Sequence, residues 1–293
     1  EKILQKLLLT TNKNTPVFAG IIPYSLRKYK DIGLIPLNQL ICPNCKCKKG
    51  IVADLTSNDH IVIHISSRAV LKSIPNVRCK ISLIIAEPKC IHQRYYKILP
   101  LLQYKFHKIF TNYSSLSSKY SNVISLPLAY SWVDKSIAIK NKRDKLASLI
   151  ASEKQKMPGH KLRHEIINTL PKESFEVLGR GYKPFANKAD GLTPYMYSIV
   201  IENCQEVDYF TEKIVDCFIC GTIPIYWGAS NIDVYFDSRG VLSFQTIDEL
   251  QSILKIISTQ DYISRSDAAN NNREIAQDIC KVDEKIISLL KNK

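Results

Sequence analysis

The chain has 293 residues, 45% of them hydrophobic and 23% charged, and 41 basic against 27 acidic side chains leave a formal charge of +14. This apolar content excludes a disordered chain, ten glycines exclude a collagen-like repeat, and the length gives one large or two ordinary domains an interior able to hold a site. Nine cysteines are too sparse and odd in number for a disulfide scaffold, so reduced thiols are expected, while the charge points to nucleic acid, an anionic membrane face or a nucleotide diphosphate.

The opening residues, Glu1 to Leu9, are too short in their apolar part for a signal sequence, and nowhere do about 18 consecutive apolar residues occur. A soluble protein is expected, cytoplasmic or peripheral to an anionic membrane. Because the first residue is Glu rather than Met, a trimmed anchor would place it in the Golgi lumen instead. Further along, Cys42-Pro-Asn-Cys45-Lys-Cys47 has the spacing of half a zinc site. His60 or His64 would be needed to complete it, but His64 alternates within an apparent strand and reads as a packed core side chain.

Strand-length apolar runs then recur at His60 to Ile65, Lys80 to Ala86, Lys108 to Thr111, Leu146 to Ala151, Phe175 to Gly179, Tyr197 to Glu202 and Thr222 to Trp227, with polar helix-length stretches between them. Continuous runs such as Ile81-Ser-Leu-Ile-Ile-Ala86 suit parallel strands buried on both faces, so the fold class is α/β. Glu87 stands at the end of one such run, and Pro88 would stop that strand. Read by position alone, Glu87 is equally a solvated loop residue. The polar, lysine-rich stretch from Trp132 to Leu146 marks a domain boundary, giving a first domain over 1–135 and a second over 146–293. Other lysines scatter, with a cluster at Lys46, Lys48 and Lys49 and another from Lys135 to Lys145. There is no arginine-rich tail or basic–aromatic run, so nucleic acid is not the expected partner.

In the second domain, His160 to Leu170 reads as a helix on which Arg163 is, by position, an exposed side chain. After the strand ending at Glu202-Asn203, a helix opens around Tyr209 to Glu212, with Ile214, Val215, Phe218 and Ile219 at helical spacing and Gly221 where a left-handed cap belongs. Glu212 and Lys213 fall in its first turn, where free backbone N–H groups favour a phosphate and lysine would add a point charge. On periodicity alone Glu212 equally complements the helix dipole and Lys213 is solvated. Cys217 and Cys220 lie inside this helix and read as small apolar packing residues. No Asp-x-Asp occurs in the chain, so no divalent metal site is expected on a diphosphate.

The block Ile201-Glu-Asn-Cys204, Asp208-Tyr-Phe-Thr-Glu-Lys213, Gly221-Thr-Ile-Pro-Ile-Tyr-Trp-Gly228 resembles the sugar-nucleotide signature of the α-1,3-fucosyltransferases, glycosyltransferase family 10. Ile201 stands for Phe, Cys204 for Ser and Phe210 for Ile or Val; the polar set is intact. Weaker similarity covers Ala151 to Lys154, Gly159 to Arg163, Ile84 to Pro88, Ile109 to Thr111 and Pro127 to Trp132, so that residues 80 to 250 are covered and the first 75 hardly at all.

The resemblance implies a GT-B fold, two Rossmann-like domains facing an interdomain cleft, the first binding the acceptor and the second GDP-fucose. It implies metal-independent, inverting transfer of L-fucose to a glycan hydroxyl, with a GlcNAc-containing acceptor and a role in glycan biosynthesis. By similarity Arg163 and Lys213 hold the diphosphate, and Glu202, Asn203, Tyr209 and Glu212 contact sugar and ribose hydroxyls. Glu202 has a structural alternative, bonding backbone N–H groups beneath the loop. Glu87 is the expected base and Glu153 the alternative. The competing readings are a GT-B transferase for another nucleotide sugar and a non-catalytic basic binding protein on a degenerate transferase fold.

Overall fold

The computed structural model describes residues 17–27, 30–43, 49–66, 74–134 and 143–291. Glu1 to Leu9, Cys45, Cys47, Lys46, Lys48 and most of the expected linker lie outside them. The first sheet runs in the order β1 (Ala19–Ile21), β2 (His60–His64), β3 (Lys80–Ile85), β4 (Ile109–Thr111), β5 (Val123–Ser125). β2 is parallel to both β1 and β3, with His60 in register with Ala19 and Lys80. The second sheet contains β6 (Lys145–Ile150), β7 (Glu176–Leu178), β8 (Tyr195–Ile201), β9 (Ile223–Trp227) and β10 (Leu242–Ser243), in the order β10-β9-β8-β6-β7, with every pairing parallel. This is the expected α/β architecture with two parallel sheets.

Among the described residues the α-helices are α1 (Lys89–Leu102), α2 (Ser114–Ser117), α3 (Pro158–Thr169), α4 (Glu212–Ile219), α5 (Ile247–Ile256), α6 (Thr259–Ser264), α7 (Ser266–Ile279) and α8 (Val282–Lys291). Among the described residues no helix is long and apolar enough to cross a membrane. By packing, one unit comprises the described residues up to Ile85, Pro100–Phe110 and the C-terminal helix from Asp283 on; the other comprises Ala86–Leu99 and Thr111–Val282. Glu87 therefore groups with the second unit.

β8 is the middle strand of the second sheet, and all seven of its residues are buried. Its run is apolar apart from Ser198, because both faces are covered. Tyr197, Ile199 and Ile201 pack into a layer with Ile166 of α3 and Leu250 of α5, whereas Val200 joins the opposite layer with Ile214, Val215 and Phe218 of α4. β1, β5 and β10, each of two or three residues, were not expected from the sequence.

Arg143, in the polar run read as linker, is instead buried. Its guanidinium donates to the carbonyls of Thr193 (2.8 Å) and Tyr195 (2.7 Å) and to that of Cys220, tying the start of β6 to the segments flanking β8 and β9. Cys217 and Cys220 are fully buried in the layer under α4, as expected for packing residues.

Cys42 is disulfide-bonded, which corrects the expectation of reduced thiols throughout and removes its thiolate from any zinc site. The His60 ring lies 4.9 Å from that of His107, tilted by 51°, and half-buried His64 meets the edge of Tyr24 at 5.2 Å. Both imidazoles are pushed down to about 4, chiefly by burial, and so are neutral at pH 7.

Candidate functional site

The sequence-predicted residues Glu87, Arg163, Glu202, Asn203, Tyr209, Glu212 and Lys213 all belong to the second unit. Five follow β8 directly. Glu202, fully buried, accepts from the Thr211 backbone N–H (2.8 Å), the Thr211 hydroxyl (2.8 Å) and the Lys213 ammonium (3.1 Å). Thr211 is also the N-cap of α4, its hydroxyl accepting from Lys213 N at 3.4 Å and from Lys213 Nζ at 2.9 Å. Glu212 places a carboxylate oxygen 3.5 Å from Lys213 Nζ and 3.8 Å from Lys188 Nζ.

This wiring takes up two N–H groups at the start of α4, since the amide of Thr211 bonds to Glu202 and that of Lys213 to the Thr211 hydroxyl; the Lys213 ammonium is the charged group at this end of the helix. Burial disfavours the ammonium of Lys213, yet Glu202 and Glu212 outweigh it and hold its pKa above the ordinary lysine value. Burial likewise pushes Glu212 up, but Lys213 and Lys188 hold its carboxyl below the ordinary glutamate range. Lys213 is thus a fixed, charged, partly exposed cation; 24% of its side chain remains open to solvent.

α3 brings in Arg163. Far from being an exposed helix arginine it is 7% exposed, and its guanidinium donates to the Ile201 carbonyl at the end of β8. Burial lowers its pKa, while Glu202, Glu212 and Tyr209 favour the charged form, and an arginine in such company stays protonated. α3 reaches β8 because Gly159 sits in its first turn: the Gly159 N–H donates to the Asn203 carbonyl at 3.0 Å, and a Cβ there would lie 1.7 Å from the Glu202 carbonyl oxygen. Asn203 also bonds to His160 through its side chain. His160, half-buried, is lowered first by burial and then by Arg163, Lys154 and Lys213, a sign of the positive field at this corner.

Gly159→Ala is therefore expected to force α3 off the strand end, with a loss of about 2 kcal/mol or more and weaker binding of any anion held by Arg163. A denaturant midpoint equal to wild type would contradict the contact.

Glu87 lies two residues beyond β3 and is partly buried. Burial raises its pKa above the ordinary glutamate value, Lys213 opposes that rise and Glu212 adds to it, so the three groups share one electrostatic neighbourhood. Tyr209 is 1% exposed, its phenol held far above the ordinary range by burial, then by Glu202 and Glu87. It follows Asp208, whose left-handed φ of 66° is held by bonds from Ser114 N (2.9 Å), Ser114 Oγ (2.6 Å), Asn231 Nδ2 (2.7 Å) and the Tyr235 hydroxyl (2.8 Å). Glu153, the alternative base, is exposed.

Sequence reading missed Lys188 and Asp216. Asp216 is fully buried one turn beyond Glu212; one oxygen accepts from Ser131 Oγ (2.7 Å) and Trp132 N (3.0 Å), and the other pairs with Lys188 (2.7 Å). The available signal was an acid interrupting the apolar face of α4. Glu206 was missed as well: it accepts from the N–H groups of Lys89 (3.0 Å) and Cys90 (2.9 Å) and from the Tyr113 hydroxyl, partners too distant in the chain for any local pattern to link.

Residues 140–271 match the sequence profile of Glycosyltransferase family 10 (fucosyltransferase) C-term. Over 76 residues, 25% of this chain, it is 34% identical to Alpha-(1,3)-fucosyltransferase FucT of Helicobacter pylori; over 85 residues, 29% of the chain, it is 28% identical to a Putative fucosyltransferase-like protein of Arabidopsis thaliana. In both cases the chain spans only 16% of the relative's length. Among solved structures, an alpha1,3-fucosyltransferase superposes with a TM-score of 0.55 at 16% identity, covering 94% of this chain and 92% of that one. Anabaena HepE in complex with UDP-glucose gives 0.58 at 10% identity over 80% and 79%. At these identities the superpositions establish the fold.

Proposed function

We propose that this chain, whose residues 140–271 match the C-terminal profile of glycosyltransferase family 10, transfers L-fucose from GDP-fucose to a hydroxyl of a glycan, with inversion and without a metal ion. The observation that carries this reading is the convergence at the end of β8 of two cations, Arg163 and Lys213, with a carboxyl of raised pKa, Glu87. In such a transfer the acceptor oxygen attacks the anomeric carbon while a carboxylate takes its proton, and the sugar–phosphate bond breaks with its electron pair passing to the diphosphate. Negative charge grows on the leaving oxygens, and fixed cations lower the barrier because they are already oriented when it does. Lysine supplies a compact charge and arginine a planar fork matched to two oxygens. Glu202 serves this chemistry by holding Lys213, while Asn203, Tyr209 and Glu212 are the proposed contacts to sugar and ribose hydroxyls.

The acceptor we propose contains N-acetylglucosamine. The test is a melting-temperature series with GDP, UDP and ADP, followed by product analysis with GDP-fucose and a panel of oligosaccharides. A ligand that binds only the folded state stabilises by about 2.7 kcal/mol at 100 times its dissociation constant. A shift with GDP that disappears in Arg163→Ala supports the reading. A preference for UDP would transfer it to another nucleotide sugar, and no shift with any nucleotide would favour a non-catalytic binding protein.

The +14 charge supports peripheral contact with an anionic membrane, since each basic residue near such a surface contributes about 1 kcal/mol. Liposome flotation should then rise with anionic lipid content; indifference to it would remove this part of the proposal.

A further inference from the structure

We propose that Cys90 and Cys204 form a reversible disulfide that clamps the turn bearing Glu87 onto the loop after β8. In the structure both are thiols, and their Sγ atoms are 2.7 Å apart, well inside the contact distance of unbonded sulfurs and close to the ~2.05 Å of a formed bond. The two residues are 114 positions apart in sequence, so their juxtaposition is made by the fold.

Each sulfur is held in place by its surroundings. Cys90 lies in the first turn of α1, ahead of the break in helical geometry at His92. That turn is fastened from the far side of the pair: Glu206 accepts from the backbone N–H groups of Lys89 and Cys90, and Tyr113 fastens Glu206. Cys204 is 5% exposed and lies two residues beyond Glu202, on the same loop between β8 and α4 that carries Glu206. Cys90 is exposed, so a soluble disulfide can reach one sulfur and not the other. The same three residues, Cys90, Cys204 and Glu206, have ligand atoms close enough together to suggest a metal site. Against that, both oxygens of Glu206 are already engaged as acceptors, which leaves two sulfurs for an ion that usually takes four ligands.

The step is a thiol–disulfide exchange with a small disulfide such as oxidised glutathione. The Cys90 thiolate attacks one glutathione sulfur, forming a mixed disulfide and expelling one glutathione thiolate. The Cys204 thiolate then attacks the Cys90 sulfur and expels the second. Two electrons leave the protein for the glutathione pair, and the two cysteine protons end on the two expelled thiolates. Both thiols are held above the ordinary cysteine range, by burial first and by Glu206 among the smaller causes, so oxidation is slow at neutral pH and quickens in mild alkali. Because the sulfurs already meet, closing the bond leaves Glu87 and Lys213 where they are. Oxidation should therefore act as a staple that restricts the unfolded chain, and not as an off-switch.

The test treats the folded protein with oxidised or reduced glutathione at pH 8.5, removes the reagent, blocks free thiols and digests with trypsin without reduction. The expected product is the peptide 90–94 joined to the peptide 189–213, absent after reduction, together with a rise in melting temperature on the order of 5 °C or more. Cys90→Ser should lose both the joined peptide and the rise. Glutathione persisting on Cys90 with Cys204 free, or no joined peptide at all, overturns the proposal. So does stoichiometric zinc on the untreated protein whose removal by chelator is what permits oxidation. The GDP-induced melting shift is measured on both forms: its absence from both would count against the donor site alone, whereas its presence in the reduced form only would show that the bond distorts the site.

Discussion

Lys213→Ala is expected to lower kcat/KM by about a hundredfold or more, because a donor aimed at charge developing on a leaving group is worth about 3 kcal/mol. The same change should cost about 3–5 kcal/mol of folding stability, since it leaves the fully buried Glu202 without its cation. The two effects separate in a cycle. Glu202→Gln added to Lys213→Ala removes both charges and should recover much of the stability while recovering none of the rate. Single-turnover transfer and urea midpoints on the four proteins provide the readout. If the double variant regains rate along with stability, Lys213 is a structural partner of Glu202 and not a cation for the diphosphate.

Glu87→Gln should lower the transfer rate by about 10²–10⁴, the range lost with a positioned base. Its effect on stability has the opposite sign. The Glu87 carboxyl has a raised pKa in the folded protein, so the native state holds that proton more tightly than the unfolded chain does. Stability therefore declines as pH rises from the ordinary glutamate pKa through the raised one, and the penalty persists above it. Glutamine escapes that penalty, so the variant should melt at or above wild type at pH 7. Catalysis needs the deprotonated form, so kcat/KM of the wild type should climb through the same window in which stability falls. An acid limb unchanged in Glu87→Gln, or a rate within tenfold of wild type, would assign the base elsewhere; Glu153→Gln, altering an exposed side chain, tests the alternative base.

The parts of this protein that could be read from its sequence are those whose cause is local. The β8 run was legible because seven consecutive residues are buried, and α4 because its apolar spacing ends at Gly221, whose φ of 68° is the left-handed cap. Arg163 was different. Nothing in its helix distinguishes it from an exposed arginine; its burial follows from the Ile201 carbonyl and from Glu202 and Glu212, brought close by Gly159. Resemblance pointed to it where periodicity did not. Cys204 looked like a mild replacement for serine, and only the fold shows that its partner is Cys90. Glu206 and Asp216 escaped for the same reason, since each acts on segments remote in the chain.

The position of β8 has one last consequence. Hydrogen-bonded on both sides by β6 and β9 and covered on both faces, its backbone amides should exchange with solvent only when the whole second unit opens. Glu202 continues directly from that strand, and α3 is docked on its end. The donor-binding corner is thus suspended from the slowest-opening backbone in its unit, so warming should leave it fully formed until the cooperative transition itself, with no intermediate temperature at which the protein is still folded but has lost its grip on nucleotide.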